Sequence, residues 1–166
     1  NPGIAVIASG AEGDAFVAAA KDALSQVAPQ VMLTDGIAKA YQTGKARFDS
    51  RNAVKPVLTN EDTGRHATPN LYETDAATYL QDHTLGEEVF GPLGLVIRVA
   101  DAAGMQTLAK GFDGQLTATL HMDAGDEDQA RALLPILERK AGRVLFNGFP
   151  TGVEVADSMV HGGPYP

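Results

Sequence analysis

The run LGLVIRVAD, Leu93–Asp101, decides how the rest of the chain is read. A strand with one wet face alternates apolar and polar residues. This one is a nearly continuous Leu/Val/Ile stretch, which is the habit of a strand covered on both faces in a parallel sheet. Strands of that kind need crossover connections, so helical segments should lie between them.

They do, working outward in both directions. GIAVIA (Gly3–Ala8) reads as a short buried strand. After the turn SGAEG, residues Phe16, Val17, Ala20, Leu24 and Val27 share one helical face up to Pro29, which stops the helix. TDGIAKAYQTGKARF reads as a second helix with Asp35 as its N-cap and Gly44 as a weak point. VKPVL and PNLYET are strands whose prolines, Pro56 and Pro69, place them at edges or bends. Downstream of the central run, Asp101 caps a short helix through Leu108, and GQLTATLHM (Gly114–Met122) is a further strand. Asp123–Lys140 has the clearest helical pattern, with an acidic start, an apolar stripe of Ala130, Leu133, Leu134, Leu137 and Ala141, and Gly142 as its stop. Pro135 should bend or interrupt that helix. RVLFN (Arg143–Asn147) is the last strand, before an irregular segment to Pro166. The alternation predicts an α/β fold: three layers, a mainly parallel sheet with helices on both faces, in a single domain. In such sheets chemistry gathers at the loops beyond the carboxyl ends of the strands.

The bulk numbers exclude several functions. At 166 residues, with 44% hydrophobic and 20% charged residues, the chain has an ordinary globular balance. A net charge of −8 argues against binding nucleic acid or an anionic membrane through bulk electrostatics, and suits a cytoplasmic protein. No apolar run approaches the roughly 20 residues of a membrane helix. Zero cysteines exclude disulfides, thiolate metal sites and thiol nucleophiles within these residues. The four histidines, His66, His83, His121 and His161, share no metal-ligand spacing. The acidic DAGDED reads as helix N-terminal charge and lacks the ligand pattern of a calcium loop. Dinucleotide and phosphate glycine loops are absent, and neither Ser9 nor Ser158 sits in a nucleophile elbow.

One loop stands apart. GEEVFGPLG, Gly86–Gly94, sets two carboxylates and a phenylalanine between glycines just before the central strand. A carboxylate there can accept hydrogen bonds from vicinal sugar hydroxyls. A Phe two residues beyond Glu88 emerges on the same side of an extended segment and could back a flat heterocycle. Taken alone, the same residues also read as two solvated carboxylates beside a core phenylalanine.

EEVFGP resembles the E-E-x-F-G-P signature of the aldehyde dehydrogenase superfamily. In order after it come GFDGQLTATLH and GRVLFN, similar to two further strand motifs of that family, and the opening NPG resembles residues that closely follow its catalytic cysteine. The likeness spans essentially the whole chain. It implies that Glu88 binds the hydroxyls of the nicotinamide ribose of NAD or NADP, that Phe90 packs near the nicotinamide ring, and that Pro92 shapes the loop. Asn147 would buttress the catalytic loop from the last strand, while Phe149, Pro150, Val160 and His161 would line the mouth of the aldehyde pocket. In such enzymes a thiolate attacks the aldehyde, hydride passes to the nicotinamide, and a Glu-activated water hydrolyses the thioester. The resemblance places that nucleophile just before Asn1, and the general base and the amino-terminal dinucleotide-binding domain upstream as well. The chain is then expected to be part of a catalytic domain, inactive by itself, from a homo-oligomeric enzyme acting on a small-molecule aldehyde. The tail NGFPTGVEVADSMVHGGPYP resembles the branch that oxidises 2-oxoglutarate semialdehyde (2,5-dioxopentanoate). The other reading is an independent, non-enzymatic α/β module that binds a ligand or a partner.

Overall fold

The computed structural model describes residues 3–150 and residue 157. The described residues pack as two compact units, one over residues 3–101 and the other from residue 102 onward.

The first unit contains β1 (Ile4–Ala8), α1 (Ala11–Ser25), β2 (Gln30–Val31), α2 (Asp35–Asp49), β3 (Lys55–Leu58), β4 (His66–Ala67), β5 (Asn70–Asp75), α3 (Ala76–Gln81) and β6 (Leu93–Val99). Its main sheet has the order β1-β6-β5-β3. The LGLVIRVAD run forms β6 at the interior of that sheet, parallel to β1 on one side and to β5 on the other. Only β3 runs antiparallel, pairing with β5 at the far edge with a register shift between Pro56 and Leu58. Proline at an edge costs no interior ladder bond. Pro69 precedes β5 rather than interrupting it, so β5 is an interior strand, contrary to the edge expected for it.

Two adjacent residues of β5 show that both faces of the sheet are covered, since successive side chains point to opposite sides. Tyr72 turns to α2: its ring lies 5.2 Å from that of Phe48, and its hydroxyl donates to Asp49 Oδ1 at 2.7 Å. Glu73 turns the other way, accepting from Arg98 Nη2 of β6 at 3.2 Å, and that same nitrogen donates to Asp14 of α1 at 2.9 Å. Between these layers Leu95, Val96 and Ile97 are each at most 2% exposed.

Four local expectations change. The N-cap of α2 is Thr34, whose hydroxyl accepts from Ile37 N–H at 3.2 Å, and Asp35 is the first helical residue. Both residue types cap well. Gly44 does not weaken α2, which runs on to Asp49; it is buried, and its missing side chain is filled by a neighbouring loop. β1 lies at a sheet edge and is half-buried rather than buried. α1 ends at Ser25, short of Pro29; its Val17, Ala20 and Leu24 are half-buried, whereas Phe16, and Val27 beyond its end, are exposed. The small β2–β4 ladder and the six-residue α3 had no counterpart in the reading of the sequence.

The second unit holds α4 (Ala102–Gly111), β7 (Gln115–Leu120), α5 (Glu127–Leu137) and β8 (Ala141–Phe146). β7 and β8 pair in parallel through the α5 crossover, from Gln115 opposite Ala141 to Leu120 opposite Phe146. Ala109 of α4 and Leu133 and Leu137 of α5 form the buried cluster, with Met105, Ala118, Leu120, Ile136 and Val144 against it. The acidic start is a short 3-10 turn over Ala124–Asp126 rather than α-helix. α5 runs through Pro135 and ends two residues later, at Leu137, short of the Lys140 that the pattern suggested. Proline has no N–H for the carbonyl four residues back, so the turn before it lacks one ladder bond. Ala141 and Gly142 already belong to β8: strand pairing begins where Gln115 N–H donates to Lys140 O at 2.7 Å.

Candidate functional site

The GEEVFGPLG loop enters from a 3-10 turn, His83–Gly86, that follows α3. Its conformation is fixed piece by piece from below. At the start, Asp82 accepts from Thr84 N–H at 3.1 Å and from Arg51 Nε at 2.6 Å. The Thr84 hydroxyl first, and Arg51 next, hold the Asp82 carboxyl below its usual range. A side chain at Gly86 would stand 2.5 Å from the Tyr79 hydroxyl, so glycine lets the chain pass without displacing that ring. Glu87, the bland partner of the pair, forms an ion pair with Arg47 of α2. Val89 fills the notch at Gly44, where an added Cβ would stand 2.7 Å from Cγ1 and 2.9 Å from Cγ2 of that valine.

At the far end Gly91 has φ 155°, and a Cβ there would lie 2.3 Å from Tyr41 Cδ2. Both the backbone angle and the ring beneath demand glycine. Tyr41 is 1% exposed; its oxygen accepts from Asn70 Nδ2 at 2.7 Å and faces the carbonyls of Thr68 and Pro92 at 3.3 and 3.4 Å. Burial pushes its phenol up to about 12. Pro92 O also accepts from Asn70 N–H at 2.8 Å, which hands the chain directly into β6.

The consequence is a loop with one closed and one open side. Val89 is inward and half-buried, while its neighbours Glu88 and Phe90 are exposed, Phe90 at 65%. The phenylalanine is therefore not core. Glu88 makes no ion pair or hydrogen bond among the described residues, so its carboxylate is open to hydroxyl donors.

In the second unit, Asn147 sits just past β8 with φ 48°, a left-handed conformation that asparagine tolerates better than most residues. Its backbone N–H donates to Leu120 O at 2.9 Å. Its side chain grips Met122 twice, Oδ1 accepting from the N–H at 2.8 Å and Nδ2 donating to the carbonyl at 2.9 Å. One asparagine thus ties together the carboxyl ends of β7 and β8. Beside it lies an open depression of about 380 Å³ lined by His121, Met122, Asp123, Asp126 and Asn147. Phe149 is 76% exposed and tilted against the His121 ring at 5.3 Å, and Pro150 is half-buried. Val160 and His161 lie outside the described residues.

Glu88, Phe90 and Pro92 thus share one loop of the first unit, and Asn147, Phe149 and Pro150 share one strand end of the second. Reading the sequence missed the supports of the loop: Tyr41, Gly44, Arg47 and Asn70. As supports of the loop, Tyr41, Gly44 and Arg47 carried no signal, because their partners are far along the chain.

Comparison with known proteins decides the family. No protein-family model matches the chain. Over its whole length it is 45% identical to alpha-ketoglutaric semialdehyde dehydrogenase 2 of Azospirillum brasilense and 42% identical to the alpha-ketoglutaric semialdehyde dehydrogenase of Acinetobacter baylyi. The chain belongs to the aldehyde dehydrogenase superfamily. It spans about a third (32%) of the length of each of those two relatives. The fold agrees: a succinic semialdehyde dehydrogenase from Streptococcus pyogenes, solved in complex with NADP+, matches 97% of the chain and 38% of its own at TM-score 0.69 and 14% identity. Among aldehyde dehydrogenases, therefore, this segment carries the E-E-x-F-G-P loop and the strand motifs after it.

Proposed function

We propose that this segment contributes nucleotide-binding and substrate-facing residues to an NAD(P)-dependent aldehyde dehydrogenase that oxidises 2-oxoglutarate semialdehyde to the corresponding acid. The carrying observation is the presentation of Glu88 and Phe90 side by side on the open side of a loop whose other side is locked. A carboxylate with no internal partner can accept both hydroxyls of a ribose, and an exposed phenyl ring offers a flat face to a heterocycle. These residues fit a nicotinamide nucleotide, which when bound supplies the hydride acceptor. Glu88 orients the ribose, Phe90 limits where the ring can lie, and Pro92 with its glycines holds the loop. Asn147 keeps the ends of β7 and β8 in register, and Phe149, Pro150, Val160 and His161 line the aldehyde entrance. The substrate reading rests on the names of the relatives that are 45% and 42% identical to the chain.

The nucleophile lies outside these residues, since the sequence holds no cysteine. We place it, with the general base, in the part of the protein that precedes Asn1. Assembly of the complete protein into a homo-oligomer belongs to the same reading, supported by exposed apolar side chains such as Leu116 and Phe146. The test is aldehyde-dependent reduction of NAD+ and NADP+ by the complete polypeptide and by the 166-residue chain. The complete polypeptide should oxidise 2-oxoglutarate semialdehyde, and the chain alone should not. Turnover by the chain alone, or none by the complete polypeptide, sinks the proposal.

A further inference from the structure

The loop that presents Glu88 and Phe90 follows one stripe along the second half of α2 and the turn just past its end. Residues 41, 44 and 47 fall at intervals of three and share a face of the helix, and Arg51 follows four residues on, beyond the C-cap. Arg51 holds Asp82 and Thr84; Arg47 holds Glu87; Gly44 receives Val89; Tyr41 lies under Gly91 and bonds near Pro92. As the helix numbers fall, the loop numbers rise. The two segments are therefore matched in antiparallel register, contact by contact.

We propose that this stripe is a template for the nucleotide-binding loop, with Gly44 and Arg47 as positioning residues that act through Val89 and Glu87. The inference rests on the ribose-binding reading of Glu88, but its structural half stands apart from it. The chemistry divides the labour. The Arg47–Glu87 pair is largely exposed, with 37% and 54% of the side chains open, and such pairs contribute little in water. It sets register and neutralises the first carboxylate, leaving the second as the open acceptor. The notch sets depth. Val89 can sit low only because Gly44 has no side chain, and its depth decides how far its two neighbours project. A methyl group at position 44 would collide with both Val89 methyls and push the loop outward. Removing those methyls should let it settle again.

The sequence contains no tryptophan, so Phe90→Trp gives the chain a single tryptophan reporter, excited apart from its four tyrosines, on the open side of the loop. In that background we compare Gly44→Ala, Arg47→Met and the double variant Gly44→Ala with Val89→Ala, reading tryptophan anisotropy and quenching by iodide. The same substitutions in the complete polypeptide, with Phe90 retained, are read as dinucleotide dissociation constant and aldehyde KM. Gly44→Ala should lower the anisotropy and weaken dinucleotide binding about tenfold, the scale of an overpacking cost, with aldehyde KM nearly unchanged. The double variant should recover both readouts, and Arg47→Met should show a smaller loss of the same kind. If Gly44→Ala destabilises the fold, Arg47→Met and the double variant still decide. An unchanged tryptophan signal in Gly44→Ala and Arg47→Met, or no recovery in the double variant, overturns the template. A tryptophan signal that moves and recovers as expected, with dinucleotide binding unaffected even by Glu88→Gln, upholds the template and removes the ribose reading instead.

Discussion

Tyr41 shows how one buried side chain serves the site without touching a substrate. Its ring is the floor under Gly91, and its oxygen collects the Asn70 amide and the region of the Pro92 carbonyl. Burial raises its pKa from 10.0 to about 12, partly offset by the Asn70 hydrogen bond. A raised pKa means that the fold favours the neutral phenol. That stabilisation is fully present below pH 10.0 and is lost as pH rises from there towards about 12. Tyr72, buried and donating to Asp49, is shifted in the same direction. Denaturant unfolding measured across this range should show stability falling above about pH 10. Tyr41→Phe should fall less steeply because one of the two raised phenols, Tyr41 and Tyr72, is then gone. Equal slopes in the two proteins would mean that Tyr41 is not held neutral by the fold. Glu88 and Phe90, which we propose touch a nucleotide, could be singled out because a contiguous motif carries them, and both are exposed. Gly44 and Arg47 were not, since their partners Val89 and Glu87 lie some forty residues away and nothing local marks a notch.

Among the elements, β6 was the most legible, because a run buried on both faces leaves a pattern that solvent-facing strands do not. Ile97 at its centre is 0% exposed. Ile97→Ala should lower unfolding free energy by roughly 2–5 kcal/mol, the range for deleting a packed aliphatic side chain. A loss below about 1 kcal/mol would show that the sheet relaxes around the gap. The ladder of β2 and β4 was not legible, because two-residue strands have no periodicity to detect. The six residues of α3 are too few for an apolar stripe, although Asp75 caps them by accepting from Thr78 N–H at 2.7 Å. Boundaries shifted where two residues compete for one role: Thr34 and Asp35 both favour an N-cap, and the chain uses the first. Pro135 was legible as a place where the helix would falter: α5 ends two residues beyond it, at Leu137 rather than Lys140.

At the scale of the whole molecule, the chain belongs to the aldehyde dehydrogenase superfamily and carries an open loop and exposed apolar side chains. In the first unit Val31 and Leu33 are 59% and 81% exposed; in the second, Leu116 and Phe146 are 59% and 47% exposed. Side chains of this size in the open predict that the purified chain binds an apolar dye and self-associates with rising concentration. A strictly monomeric chain with no dye binding, measured by sedimentation and fluorescence, would count against that. Among the described residues no helix is long and apolar enough to cross a membrane. The α/β class and the identity of the loop were both legible in the sequence. The division into two compact units was not, because no composition shift or linker marks Asp101. The central claim is that Glu88 grips the nicotinamide ribose while Glu87 serves only α2. The most direct measurement is the pair of KM values, for dinucleotide and for aldehyde, in the complete polypeptide carrying Glu88→Gln. Loss of a hydrogen bond to a charged acceptor should raise the dinucleotide KM about tenfold and leave the aldehyde KM within about twofold. An unchanged dinucleotide KM, or a rise confined to the aldehyde, would contradict the account.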